Sequence, residues 1–129
     1  MSSDIYWIEA PTPSPLAIMA RPRAGDWLED EVAHWQRSGL GIVVSLLEAD
    51  EIEDLGLGME AVFCDRNNIQ YLSFPIPDRG IPDVEVAMRF ADDLARTGKV
   101  VAIHCRAGIG RSSIMAAGVL VSCNVSPDA

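Results

Sequence analysis

Basic residues are scarce. The 129-residue chain carries 10 Lys and Arg against 19 Asp and Glu, a formal net charge of −9. A surface for nucleic acid or an anionic membrane needs clustered Lys and Arg, so this balance argues against both partners. Any anionic ligand has to be held by a local site working against the global field. Cysteine is sparse as well. Cys64, Cys105 and Cys123 cannot close a disulfide framework, and no Cys-x-x-Cys spacing points to zinc or another metal. Free thiols fit a reducing compartment, and the first residues lack the basic start and apolar core of a secretory signal, which together point to the cytoplasm. The longest apolar run, 114–121, falls far short of the roughly 20 residues that cross a bilayer. Internal repeats and low-complexity tracts are missing too.

What remains is ordinary globular material, with 49% hydrophobic and 22% charged residues, enough apolar side chain for one domain to offset its ordering entropy. Short apolar runs at 5–8 and 16–19 flank a proline-rich stretch (Pro11, Pro13, Pro15) and are expected as edge strands. Asp26 and Glu29 have capping-box spacing, and Leu28, Val32 and Trp35 recur at helical intervals up to Gly39. A β-branched run at 42–46 reads as a strand buried on both faces. Short helices follow at 49–55 and 59–65, then a strand at 69–74 closed by Pro75 and Pro77. Val84, Ala87, Met88, Ala91 and Leu94 mark an amphipathic helix, 100–104 is a second buried strand, and 114–121 is a core helix. Strands alternating with helices predict an α/β domain: a central, mostly parallel sheet flanked by helices. Ligands of such sheets bind beyond the carboxyl ends of the strands, the address of the loop after residue 104.

That loop reads His104-Cys105-Arg106-Ala107-Gly108-Ile109-Gly110-Arg111-Ser112. Between a strand end and a helix start, successive backbone N–H groups converge on one point and the helix N-terminus adds partial positive charge, which makes an anion nest. Gly108 and Gly110 let the backbone approach a ligand closely. Arg111 offers a planar fork for two phosphate oxygens. Cys105 would lie at the bottom of the cradle, where the same dipoles favour thiolate over thiol and supply a nucleophile.

The string HCRAGIGRSS resembles the signature of the cysteine-dependent protein phosphatases, and of their dual-specificity branch in particular. The resemblance implies that Cys105 forms a phosphocysteine, that Arg111 binds phosphate and stabilises the transition state, and that Ser112 assists departure of the thiolate. It makes His104 an orienting residue that does not touch substrate, and Arg106, Ala107, Gly108, Ile109 and Gly110 the substrate-facing loop. Upstream, Phe74-Pro75-Ile76-Pro77-Asp78-Arg79 is similar to the general-acid loop of small dual-specificity phosphatases. Matched this way, Asp78 is the acid and Arg79 helps position it or the substrate. Asp83 competes for the role, but its place directly before the helix at residue 84 suits an N-cap. Family domains continue with further helices, so Ser126-Pro127-Asp128-Ala129 suggests a catalytic domain over 1–129 that lacks its last ones.

The implied activity is hydrolysis of phosphomonoesters on phosphoprotein or phosphopeptide, phosphotyrosine first and phosphoserine or phosphothreonine with it, needing no cofactor and no metal. Intact Cys105, Arg111 and Asp78 weigh against a silent phosphate-binding module, and the acid loop weighs against a rhodanese-like or arsenate-reductase-like thiol enzyme. Several residues read as plain structure: Cys64 and Cys123 as core thiols, with Cys64 an alternative resolving partner for oxidised Cys105; 48–54 as a solvated acidic helix face; Trp7, Trp27 and Trp35 as packing.

Overall fold

A computed structural model of the chain describes residues 5–8, 15–77, 83–106 and 110–122. Its elements run β1 (Ile5–Trp7), β2 (Leu16–Met19), α1 (Asp26–Arg37), β3 (Ile42–Ser45), α2 (Ala49–Asp54), α3 (Glu60–Arg66), β4 (Gln70–Ser73), α4 (Val84–Ala95), β5 (Val101–His104) and α5 (Gly110–Ser122). Five strands form one sheet in the order β1-β2-β5-β3-β4. β1 pairs antiparallel with β2, while β2, β5, β3 and β4 are parallel neighbours. This is the expected α/β domain.

The central strands are apolar because each is covered twice. All four residues of β3 and all four of β5 are buried, as a parallel sheet with helices on both faces requires. Ile42, Val44, Val101 and Ile103 join Ala91, Leu94, Met115 and Val119 of α4 and α5 on one face. Val43 and Ala102 join Leu28, Val32 and Trp35 of α1 on the other, with Cys64 of α3. Gly118 sets the closeness of α4 and α5, since a β-carbon there would meet that of Ala91 at 3.3 Å. Val84, Val86, Ile114 and Val121 of the same two helices are exposed.

Three expectations are corrected. β2 is an inner strand, held by Pro15, whose carbonyl accepts from Val101 N at 2.8 Å; proline removes only the N–H, so a flanking proline can still accept at the sheet. The capping box does not form at Asp26, because Gly25, at φ 66°, turns the chain into α1 and makes Asp26 the first helical residue. Of the tryptophans only Trp35 is buried; Trp7 and Trp27 are about half exposed, and Trp27 lies under the Arg23 guanidinium at 4.6 Å.

The Asp83 carboxylate accepts from Val86 N at 3.1 Å, the N-cap bond expected for it. Replacing it frees that donor, so Asp83→Ala should cost about 1 kcal/mol and lower the thermal midpoint by a few degrees. Because a cap has no part in chemistry, kcat with a phosphomonoester should hold; a collapse of kcat in a folded variant would make Asp83 rather than Asp78 the acid.

Candidate active site

The parallel strands deliver their carboxyl ends to one edge, where β5 stops at His104 and α5 begins at Gly110. Leu46 N donates to the His104 carbonyl at 3.0 Å and prolongs the ladder past the end of β3. The strand end is therefore fixed before the loop starts. Cys105 comes next and is buried, 2% exposed. Arg111 and Ser112 return on the first turn of α5, so the two ends of the loop are tied to different elements of one core.

Arg111 is 8% exposed, which a guanidinium tolerates only when paired. Its Nη1 donates to Glu51 Oε1 at 2.7 Å and to the Ile76 carbonyl at 2.9 Å, and its Nη2 donates to Glu51 Oε2 at 2.9 Å. This bidentate pair is the strongest polar contact type available to an arginine. The Glu51 carboxylate also accepts from Glu48 N at 3.0 Å, capping α2 with the same group. Arg111, chiefly through that side-chain bond, holds the Glu51 carboxyl below its ordinary range, although burial pushes the other way. Ile76 N in turn donates to Leu46 O at 3.1 Å, and Phe74 stacks on Phe90 of α4 at 4.5 Å. The root of the segment that leads to Asp78 is thus tied to both β3 and Arg111.

Arg106 is half-buried; its Nη2 donates to Asp54 at 3.0 Å, and its carbonyl accepts from Arg21 Nε at 2.8 Å. Ser112 is fully buried with no hydrogen-bond partner for Oγ among the described residues. His104 is also fully buried, and its Nε2 lies 2.6 Å from Glu60 Oε2. Asp78, Arg79, Ala107, Gly108, Ile109 and Cys123 lie outside the described residues, and Gly110 is the first residue of α5.

Glu51, Asp54, Glu60 and Arg21 are the residues that sequence reasoning missed. The acidic stretch of α2 was expected to be solvated, yet Glu51 points inward to Arg111 and Asp54 reaches Arg106. A usable signal existed in part: a lone arginine bound for burial in an acidic protein needs a carboxylate. Cys64 belongs to the core on the opposite face of the sheet from Cys105. Burial, with help from the Glu60 charge, pushes its thiol up to about 12, which suits the inert role. Among the described residues no group of His, Cys, Asp and Glu could hold a metal ion, and no helix is long and apolar enough to cross a membrane.

The family matched over residues 17–124 is the DSP-PTPase phosphatase of polymorphic toxin systems. The chain belongs to this family. Its kind is that of the protein-tyrosine and dual-specificity phosphatases. No curated protein matches it in sequence. Among solved structures it is similar to kinase associated phosphatase with its catalytic cysteine replaced by serine: 18% identity, TM-score 0.85, covering 99% of this chain and 79% of that one. It is similar to Tk-PTP in its active form at 30% identity and TM-score 0.65, over 86% of this chain and 71% of that one. It also resembles TpbA of P. aeruginosa in complex with pTyr, at 22% identity and TM-score 0.53, over 87% and 65% of the two chains.

Glu51→Gln keeps the shape of the pair and removes its charge, which should cost roughly 3 kcal/mol at neutral pH. The folded-state value of this carboxyl lies below its ordinary 4.5, so the stabilisation is complete above that pH and is lost as pH falls through the folded value. Urea denaturation of wild type and variant should therefore show a wide gap in midpoint near neutrality that closes in acid. A gap independent of pH would mean that shape, not charge, holds the pair.

Proposed function

We propose that the protein hydrolyses phosphotyrosine, and phosphoserine or phosphothreonine with it, in phosphoprotein or phosphopeptide through a phosphocysteine on Cys105. The observation that carries the reading is Arg111, gripped by Glu51 on one side and by the carbonyl of Ile76 on the other. Ile76 stands two residues before Asp78 in the sequence, so one arginine links the phosphate loop to the segment bearing the expected acid. Glu51 takes the Nη1–Nη2 end of the guanidinium, and the Nε–Nη2 edge is the side from which two parallel bonds can grip a phosphoryl group.

The Cys105 thiolate attacks phosphorus in line, and the bond to the leaving oxygen breaks as protonated Asp78 gives that oxygen its proton. Arg111 and the loop N–H groups, of which 106–111 supply the cradle, hold the equatorial oxygens where charge spreads in the transition state. Asp78, now a carboxylate, takes a proton from the water that attacks the phosphocysteine; the S–P bond breaks, and Ser112 donates to the departing thiolate. The unclaimed hydroxyl of Ser112 among the described residues supports that last role. In this reading Arg106 contacts the substrate and Arg79 helps position Asp78 or the substrate. The acidic charge of the chain and the Asp54 pairing of Arg106 favour a phosphoprotein over an anionic lipid. The pTyr seen with TpbA supports the substrate class, and the thiol nucleophile suits the reducing cytoplasm.

Hydrolysis of p-nitrophenyl phosphate between about pH 4 and 9 tests this. Wild type should give a bell, rising as thiolate forms and falling as Asp78 loses its proton. Cys105→Ser should abolish turnover, and Asp78→Asn should lower kcat by about 10²-fold or more and flatten the basic limb. A folded wild type that binds phosphotyrosine without releasing phosphate would instead favour a phosphate-binding module.

A further inference from the structure

Behind the loop, on the α1 and α3 side of the sheet, lies a second carboxylate pair that the mechanism above leaves unused. Glu60, the first residue of α3, is 0% exposed, as is His104. Their contact, Nε2 to Oε2 at 2.6 Å, is short for a hydrogen bond between nitrogen and oxygen. Trp35 covers the imidazole, ring centroids 6.3 Å apart. Cys64, one turn along α3, and Tyr71 of β4, both among the described residues, feel the charge of Glu60. Both are pushed up to about 12, mainly by burial, and so are neutral near pH 7. Among the described residues His104 is the hydrogen-bond partner of the Glu60 carboxyl, whose Oε1 is buried without one.

A buried charge without compensation is expensive, and a single proton shared between Nε2 and Oε2 is the arrangement that leaves the pair uncharged as a whole. Both ways of placing that proton leave a hydrogen on Nδ1. Nδ1 is buried without a hydrogen-bond partner among the described residues, in the residue directly before Cys105. We propose that Glu60 is a positioning residue for Cys105: by gripping Nε2 it turns His104 so that Nδ1–H is presented as a donor at the start of the phosphate loop. The logic is that of a carboxylate that orients a histidine and fixes its tautomer, and it rests on the phosphatase reading only for its effect on turnover.

A cycle of Glu60→Gln, His104→Asn and the double variant tests the coupling. Two readouts are needed: the rate of Cys105 alkylation by iodoacetate at pH 7, followed by mass spectrometry, and kcat and KM for p-nitrophenyl phosphate. Glu60→Gln should slow alkylation and lower kcat by about ten-fold each, with KM changed less than about two-fold. In the His104→Asn background the same change should cost less than about two-fold. Equal losses in both backgrounds, or an unchanged alkylation rate in a folded Glu60→Gln, overturn the proposal. Nitrogen-15 spectra of wild type decide it even if the variant does not fold, because His34 is the only other histidine. A hydrogen on Nδ1 of His104 at pH 7 is expected, and a bare Nδ1 overturns the assignment. Absence of turnover by folded wild type would defeat the phosphatase reading, while alkylation and the nitrogen spectra would still judge Glu60.

Discussion

The buried pair between Arg111 and Glu51 is the contact on which the architecture of the site depends. An arginine 8% exposed has almost no water to hydrate it, so its place is dictated by whichever acceptors the fold can bring to it. Glu51 satisfies the fork at two atoms, the Ile76 carbonyl takes a further hydrogen, and Glu48 N ties the same carboxylate to the start of α2. Three otherwise separate parts of the chain, namely α5, α2 and the strand exit beyond β4, thus share one guanidinium. Moving any one of them leaves a buried charge or a helix end without its partner, and this makes the arrangement stiff.

The crossover between β3 and β4 has a larger part in the site than its short helices suggest. α2 contributes Glu51 and Asp54, which meet the two arginines of the 104–112 segment, and α3 contributes Glu60, which meets its histidine. The loop is therefore held at both ends by carboxylates from one stretch of chain. His104 is gripped on the face of the sheet covered by α1 and α3, while Arg111 emerges beside the core that α4 and α5 share. Alternation along β5 makes this possible, since successive residues of a strand leave on opposite faces and His104 and Cys105 are neighbours.

Much of this was legible beforehand, and the limits follow from the physics. Short apolar runs rich in β-branched residues, Ile42-Val43-Val44 and Val100-Val101-Ala102-Ile103, read as strands buried on both faces, and all four residues of β3 and of β5 are buried. The glycine-bearing segment from His104 to Ser112 carried its chemistry locally, in the order of its residues. Glu51 and Glu60 could not be found that way. Each is one acid among 19, and its meaning lies in a partner 60 or 44 residues away. Local patterns read a short acidic helix as solvated; only the tertiary path shows that Glu51 faces inward, while Asp54 stays exposed and reaches Arg106. Likewise Pro15 suggested an edge at β2, because the missing N–H is visible in the sequence and the carbonyl that accepts from Val101 is not.

The electrostatics of the site follow from the same pairs. Arg111 and Arg106 each sit against an acidic side chain, so near the loop the fixed charges largely cancel in spite of the net −9. On the proposed reading, a phosphoryl dianion entering such a place gains little from net charge and depends on directed donors, the guanidinium edge and the N–H groups at the start of α5. Directed donors discriminate by geometry: they match three equatorial oxygens around an in-line attack better than a freely rotating ground-state phosphate. Holding Arg111 with Glu51 weakens its pull at long range and sharpens its aim at short range. An acidic protein can therefore bind an anion by keeping its few cations immobile.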